Sequence, residues 1–345
     1  MQLVRQKEHK GPHRSAVGSP SGPFGSGPLR TVGPARVVGA ALLVAVLGSA
    51  CAAPDGGPAT PAAPHAKPAA GQPHGAQGAQ GAEAAQGAQG AQGAAGALGS
   101  AAERVRAQRA ARVAAAKKWG LDKPPLDAPE PPAVKPEITT RPGFETDGPD
   151  RPPVFTTVPT KQRVVFLTID DGSEKDPDLL RMMNELKVPY SAFLSNYLVK
   201  DDYAYFRKMQ SEGVTLNNHT LSHPYLPGLD YDAQRHEICD MQDIIQKRFG
   251  KRPVLFRPPY GNYNDDTLRA AKSCGVKAVP LWAAEAFPDH MEWREWDEDL
   301  HPGDIILTHF RGKGDWKGTM PDMIRKVMKV LTDKGYAVAR LEDYV

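Results

Sequence analysis

The chain has 345 residues, with 43 Lys and Arg against 40 Asp and Glu, a formal charge of +3. That charge is uneven: residues 1–50 carry six basic residues against one acid, or +5, whereas residues 121–345 carry 30 against 36, or −6. A C-terminal part of that sign has no electrostatic case for binding nucleic acid, and its length suffices for one sizeable domain. Gly, Pro, Ala and Gln dominate the first 150 or so residues, and an ordinary globular mixture follows.

Residues 1–50 read as an export signal. Basic residues ending in Arg30 and Arg36 precede an apolar stretch from Val37 to Leu47, and Gly48, Ser49 and Ala50 follow. Such a stretch is too short to cross a bilayer as a stable helix. The run from Leu47 to Cys51 resembles a bacterial lipoprotein signal, which makes Cys51 the lipidation site. The usual Leu would stand three before the Cys; here it stands four before. Ala50-Cys51-Ala52 also suits ordinary signal peptidase, and an uncleaved anchor is a third reading. The expected location is extracytoplasmic: lipid-anchored on the membrane facing the cell wall, or secreted.

Residues 51–99 read as a linker. From Gly75 to Gly99 a Gly falls at every third position, broken once at Ala84. The run is short and lacks Pro, so a flexible spacer is expected rather than a collagen-like helix. Ser100-Ala-Ala-Glu103 has the pattern of a capping box. It predicts a short helix over 100–119, with Arg104, Arg106, Arg109 and Arg112 on its surface. That surface is either simply solvated or a contact for anionic wall polymer. Residues 120–160 are Pro-rich and expected to be extended.

From residue 161 to 345 strand and helix patterns alternate. Strands are predicted at 163–169, 190–194, 214–217, 254–256, 276–282, 304–308 and 337–340. Asp176-Pro177 reads as an N-cap followed by the first helical residue, and Leu179, Met183 and Leu186 then share one face. Gly213, Gly250, Gly275 and Gly335 each follow a helical stretch, as C-terminal caps do. Seven strands alternating with six helices predict an α/β fold on a parallel sheet, and the length suits an incomplete, distorted (β/α)7 barrel. Cys239 and Cys274 fall on predicted helices in an exported chain, where a disulfide and two separate buried thiols are both open.

The chemistry-bearing residues gather at predicted strand ends. Asp170 and Asp171 end the first strand, His219 and His223 follow the third, Arg257 follows the fourth, and His309 ends the sixth. Carboxyl ends of parallel strands converge on one face, where barrel enzymes keep their active sites. Two adjacent carboxylates repel unless a cation is near. His219 and His223 are four apart, a spacing that on a helical turn aims both imidazoles at one ion. One Asp and two His leave a coordination position open for water, and the second Asp is spare as a general base. The set predicts metal-assisted hydrolysis.

Four motifs carry a specific resemblance. Thr168-Ile169-Asp170-Asp171-Gly172, His219-Thr-Leu-Ser-His223, Arg257-Pro-Pro-Tyr260-Gly261 and Leu307-Thr-His309 resemble, in order, the motifs of the polysaccharide deacetylase domain of carbohydrate esterase family 4, the chitooligosaccharide deacetylase homology domain. The resemblance spans about 160–345. It implies metal ligation by Asp171, His219 and His223, with zinc as the usual ion and cobalt or manganese as alternatives. It implies Asp170 as the base for a metal-bound nucleophilic water, Arg257 as its orienting partner, and the Tyr260 N–H as an oxyanion donor. His309 would protonate the departing amine, and Leu307 and Trp282 would line the substrate space. The family's fourth motif pairs Trp with Asp to tune the catalytic His; here Trp282 is present but Glu285 stands in the Asp position.

The resemblance therefore implies a metal-dependent N-deacetylase of amino-sugar polymers, peptidoglycan or chitin-like, that releases acetate. An O-acetyl esterase on a polysaccharide such as xylan, and a non-catalytic glycan-binding module, are the alternatives that Glu285 leaves open. Expected partners are a polysaccharide and, through a lipid anchor at most, the membrane; a monomer without nucleic acid is expected.

Overall fold

The structure, a computed structural model, describes residues 102–345. The signal segment, the 51–99 linker, Cys51 and the Ser100 cap lie outside the described residues. Residues 102–118 form helix α1. There follow β1 (Val154–Phe155), β2 (Val164–Asp171), α2 (Pro177–Leu186), β3 (Ser191–Leu194), α3 (Asn196–Val199), α4 (Tyr203–Ser211) and β4 (Thr215–Asn218). The chain continues with α5 (Tyr231–Phe249), α6 (Asp265–Ser273), β5 (Val279–Pro280), β6 (Ala284–Ala286), β7 (Met291–Trp293), β8 (Ile305–His309), α7 (Met320–Lys334) and β9 (Ala337–Val338).

β2 is the central strand. Its sequence is apolar and β-branched up to Ile169, and all eight residues are buried, as expected of a parallel strand covered on both faces. Parallel ladders run in the order β4-β3-β2-β8-β6, β7 closes the edge antiparallel to β6, and β9 pairs with the start of β2. Isolated parallel bridges, Asn218 to Phe256 and Leu255 to Ala278, carry the ladder on toward β5, which pairs with β1. The result is an α/β fold with a partial, mixed sheet curled into an incomplete (β/α)7-type barrel. Two sequence expectations change here. The strand at 254–256 is reduced to single bridges, and the sheet is mixed rather than wholly parallel because of the β6–β7 hairpin.

Alternation along β2 sorts the core. Val165, Leu167 and Ile169 join the outer cluster with Leu179, Met183, Phe206, Val327 and Leu331 from the surrounding helices. Val164 and Phe166 face the inner cluster with Phe193, Phe256, Trp282 and Leu307. Asp170 therefore belongs to the inward-facing set, at the carboxyl end of the strand. The helices are held at their expected ends: Asp176 accepts from Asp178 N at 2.8 Å, and Gly250 and Gly335 close α5 and α7 in the left-handed conformation.

The segment ahead of β2 is packed rather than free. Ala115 and Ala116 of α1 are buried in the outer cluster. Trp119 Nε1 donates to Glu185 at 2.7 Å, and Arg325 Nε donates to the Trp119 carbonyl at 2.8 Å. Arg112 leaves the expected basic surface: it donates to the Leu186 and Pro125 carbonyls at 3.2 and 2.9 Å. The Pro-rich stretch then crosses to the inner cluster, where Ile138 and Phe144 pack and Tyr263 donates to the Phe144 carbonyl at 2.7 Å. The compact body thus takes in β1 and residues ahead of position 161. Cys239 of α5 and Cys274, at the end of α6, are joined as a disulfide.

Candidate active site

The predicted site residues come together at the carboxyl ends of the strands. Asp170 and His309 are register partners across the β2–β8 ladder, and Leu307 pairs with both Thr168 and Glu285. Parallel register puts such partners on the same side of the sheet, so base and acid candidates share one mouth. His219 follows β4, and Arg257 lies one residue past the bridge at Phe256.

Arg257 is fully buried and holds the floor of the site. Its Nη1 donates to Asp170 Oδ1 at 2.8 Å and to Thr168 Oγ1 at 2.9 Å. Its Nε and Nη2 donate to the Pro280 and Leu281 carbonyls at 2.8 and 3.2 Å, and the guanidinium lies 4.4 Å from the Phe193 ring centre. Every part of the cation thus has an electron-rich neighbour, which is what makes its burial tolerable. The Arg257 carbonyl in turn accepts from His219 Nδ1 at 2.7 Å. A carbonyl can only accept, so the His219 proton sits on Nδ1 and the Nε2 lone pair is free.

That Nε2 lies 3.6 Å from Asp171 Oδ1, and His223 Nε2 lies 3.4 Å from the same oxygen. One ligand atom from each of the three residues fits within a common 4.8 Å span. Asp171 Oδ1 is buried with no hydrogen-bond partner. An orphaned carboxylate oxygen facing two imidazole nitrogens is the donor set of a divalent cation. The burial of His219 and His223 pushes each imidazole down to about 4, so both are neutral ligands near pH 7. Burial would raise the Asp171 carboxyl, but the neighbouring His309, His219 and His223 outweigh it and hold it below its usual range. Asp170 goes the other way, up to about 6, because burial outweighs the Arg257 charge.

The backbone is bent to make this site. Among the described non-Gly residues, seven have positive φ, and four of them are Asp171, Thr220, His223 and Tyr260. Strain concentrated in this way marks a site that the surrounding fold over-determines. Gly172 follows at φ 98, where a Cβ would stand 2.5 Å from Val199 Cγ1, so only glycine fits. His219 and His223 lie on an irregular loop and not on a helical turn. The left-handed Thr220 and His223 achieve by loop geometry the convergence that i, i+4 spacing gives on a helix. The Tyr260 ring sits edge-on to His223 at 4.6 Å.

On the opposite side His309 Nδ1 lies 3.2 Å from Glu285 Oε1. Burial lowers the imidazole pKa, but Glu285, Asp171 and Asp170 outweigh it and raise the group above its ordinary value. Trp282 is buried, with its ring against the Gly261 backbone and the Arg294 guanidinium 3.9 Å from its centre. Trp316 packs edge-on against Phe287, whereas Trp296 is 93% exposed. A cleft of about 890 Å³ lies against the starts of β3 and β4, under α1, and contains none of the site residues. Sequence reasoning did not single out Thr168 as a second partner of Arg257, nor Arg311, whose Nη2 reaches Asp171 Oδ2 at 3.4 Å. Its position two residues past His309 is the only signal the sequence offers for it.

Residues 157–279 match the family model for polysaccharide deacetylases, a match that ends before Glu285 and His309. An uncharacterised protein of Streptomyces coelicolor is 37% identical over 195 residues, covering 56% of this chain and 78% of that protein. A peptidoglycan-N-acetylglucosamine deacetylase of Bacillus cereus is 27% identical over 200 residues, covering 54% of this chain and 90% of that enzyme. Among solved structures, a family 4 carbohydrate esterase from Bacillus anthracis is 29% identical, with a TM-score of 0.46 over 55% of this chain and 86% of that one.

Proposed function

The chain belongs to the polysaccharide deacetylase family, and from that premise we propose that it hydrolyses N-acetyl groups of an amino-sugar polymer, releasing acetate and a free amine. The observation that carries this reading is the buried set of Asp171, His219 and His223 beside Asp170, with Asp171 Oδ1 unpartnered. These three residues would hold a divalent cation. Zinc is the proposed ion, since a two-imidazole, one-carboxylate set with an open position suits it; cobalt or manganese would also serve. When bound, the cation acidifies a water and polarises the acetyl carbonyl.

The protein's own groups do the rest. Asp170 takes a proton from the attacking water, its carboxylate fixed by Arg257. The main-chain N–H of Tyr260 donates toward the oxygen on which charge develops. His309 gives a proton from Nε2 to the departing sugar nitrogen, with Glu285 against Nδ1. An amide nitrogen leaves poorly unless protonated, so the close Glu285–His309 pair favours amide over ester substrates and turnover over mere binding. Leu307 and Trp282 wall the space for the acetyl group.

The peptidoglycan named for the Bacillus cereus relative supports a wall glycan as substrate. An export signal, a spacer and a lipidated Cys51 would set the catalytic body, 161–345 with the docked segment ahead of it, outside the membrane and within reach of that wall. The test is acetate release by the full chain from N-acetylglucosamine pentamer and from peptidoglycan, after chelation and again after zinc is restored. Release that needs zinc and disappears in Asp170→Asn is expected. Zinc binding without release from either substrate, alongside turnover of acetylated xylan, would instead establish an esterase.

A further inference from the structure

Arg311 stands in the loop between β8 and α7, two residues past His309. Its side chain is 44% exposed, and its contact with Asp171 Oδ2 is 3.4 Å. That length is at the weak limit of a charged hydrogen bond. The contact holds the guanidinium at the mouth without committing its charge. The same loop carries the exposed Lys313 and Lys317 against one acid, Asp315. Two exposed tyrosines complete this rim. They are Tyr197 and Tyr260, and the Tyr260 ring sits edge-on to that of His223 at 4.6 Å. A cation held by Asp171, His219 and His223 would take up the Asp171 charge and release Arg311 from the only carboxylate it touches among the described residues.

We propose that Arg311 determines specificity by pairing with a carboxylate that the substrate carries beside its acetamido group. The inference rests on the deacetylase reading and deepens it. The acetamido carbon must reach Asp170 and the three ligands. A guanidinium in contact with one of those ligands lies within reach of the substituents on the two adjoining ring carbons; one of these carries the glycosidic oxygen, and the other, C3, carries the group that varies between amino sugars. A 3-O-lactyl group, as on N-acetylmuramic acid, presents a carboxylate there; N-acetylglucosamine presents a neutral hydroxyl. Guanidinium and carboxylate pair in a planar, two-point geometry that a hydroxyl cannot match.

The experiment compares two substrates that differ only in charge. One is a muramic-acid-containing oligosaccharide with free lactyl carboxylates; the other is the same oligosaccharide with those carboxylates converted to methylamides. The zinc-loaded full chain should prefer the free acid by about tenfold in kcat/KM, a preference that shrinks as salt is raised. Arg311→Gln should bring the ratio close to one, and Arg311→Lys should keep part of it. Folding and metal loading act on both substrates alike, so the ratio isolates the charge. Equal ratios for the unaltered chain and Arg311→Gln would overturn the assignment of Arg311. Absence of acetate from every substrate would overturn the deacetylase reading instead. Calorimetric binding of the same two oligosaccharides would then decide Arg311 on its own: a free-acid preference lost in Arg311→Gln supports it, and equal binding rejects it.

Discussion

Glu285 Oε1 lies 3.2 Å from His309 Nδ1. Glu285 pairs in register with Leu307, two residues before His309, so the longer side chain runs along the ladder to the imidazole. Arg294, which follows β7, lies over the Trp282 ring at 3.9 Å; burial lowers its pKa to about 10, and the nearby Glu285 charge opposes that fall.

Glu285→Gln should therefore lower kcat on an N-acetyl substrate by at least about tenfold, less than the roughly 10²–10⁴-fold that a positioned general acid supplies, because His309 itself remains. Removing the negative charge takes away support for the imidazolium, so the His309 pKa falls. The alkaline limb of the pH–rate profile should then move to lower pH. A profile that keeps its alkaline limb in the variant would show that Glu285 does not tune His309.

Arg257 joins the proposed base to a proposed metal ligand: its side chain holds Asp170, and its carbonyl fixes the His219 tautomer. Arg257→Gln leaves Asp170 buried without its counter-charge and should cost about 3–5 kcal/mol in urea unfolding. It should also remove activity in whatever protein remains folded. Asp170→Asn keeps an acceptor for Arg257, so it should cost clearly less stability while still abolishing turnover. Similar stability losses in the two variants would contradict this assignment.

The metal-free protein should gain stability as pH rises from about 4 to 6.5. His219 and His223 are neutral down to about 4 when folded, whereas unfolded histidines are protonated up to about 6.5. The unfolded chain then binds more protons across this window, so stability increases with pH. Asp170 opposes the trend, since its folded value near 6 lies above the unfolded one and favours the folded state toward acid. Asp176 and Asp304, raised by burial, oppose it as well; the two histidine shifts, each from 6.5 to about 4, are the larger and leave a net rise. Melting temperatures recorded in chelator between these pH values check the sign, and His223→Gln should flatten the slope.

The motifs were legible in the sequence because each sits where an apolar strand gives way to polar residues, and period 2 fixes the direction of a strand residue. Asp170 and His309 share one mouth for that reason, and His219 and Arg257 join them because they directly follow neighbouring strand ends. Loop geometry was not legible. Nothing in His219-Thr-Leu-Ser-His223 announces left-handed residues at Thr220 and His223, so a helical turn is the natural expectation. The stretch 254–256 has strand composition but makes only single bridges, Asn218 to Phe256 and Leu255 to Ala278. The β6–β7 hairpin was hidden by its shortness, three residues a side. Arg112 and Arg311 look alike as surface arginines in sequence. Tertiary packing buries the first against carbonyls and leaves the second at the mouth.

The docked stretch around Trp119 also has a mechanical meaning. Tension on the chain from ahead of residue 102 travels down α1 and meets the Trp119–Glu185 and Arg325–Trp119 contacts before it reaches any strand. Those contacts anchor to α2 and α7 on the outer layer, away from Asp170, His219 and Arg257. Force applied to the chain there would be spent first on peeling a surface helix, before the ångström-scale spacing of the site residues was disturbed.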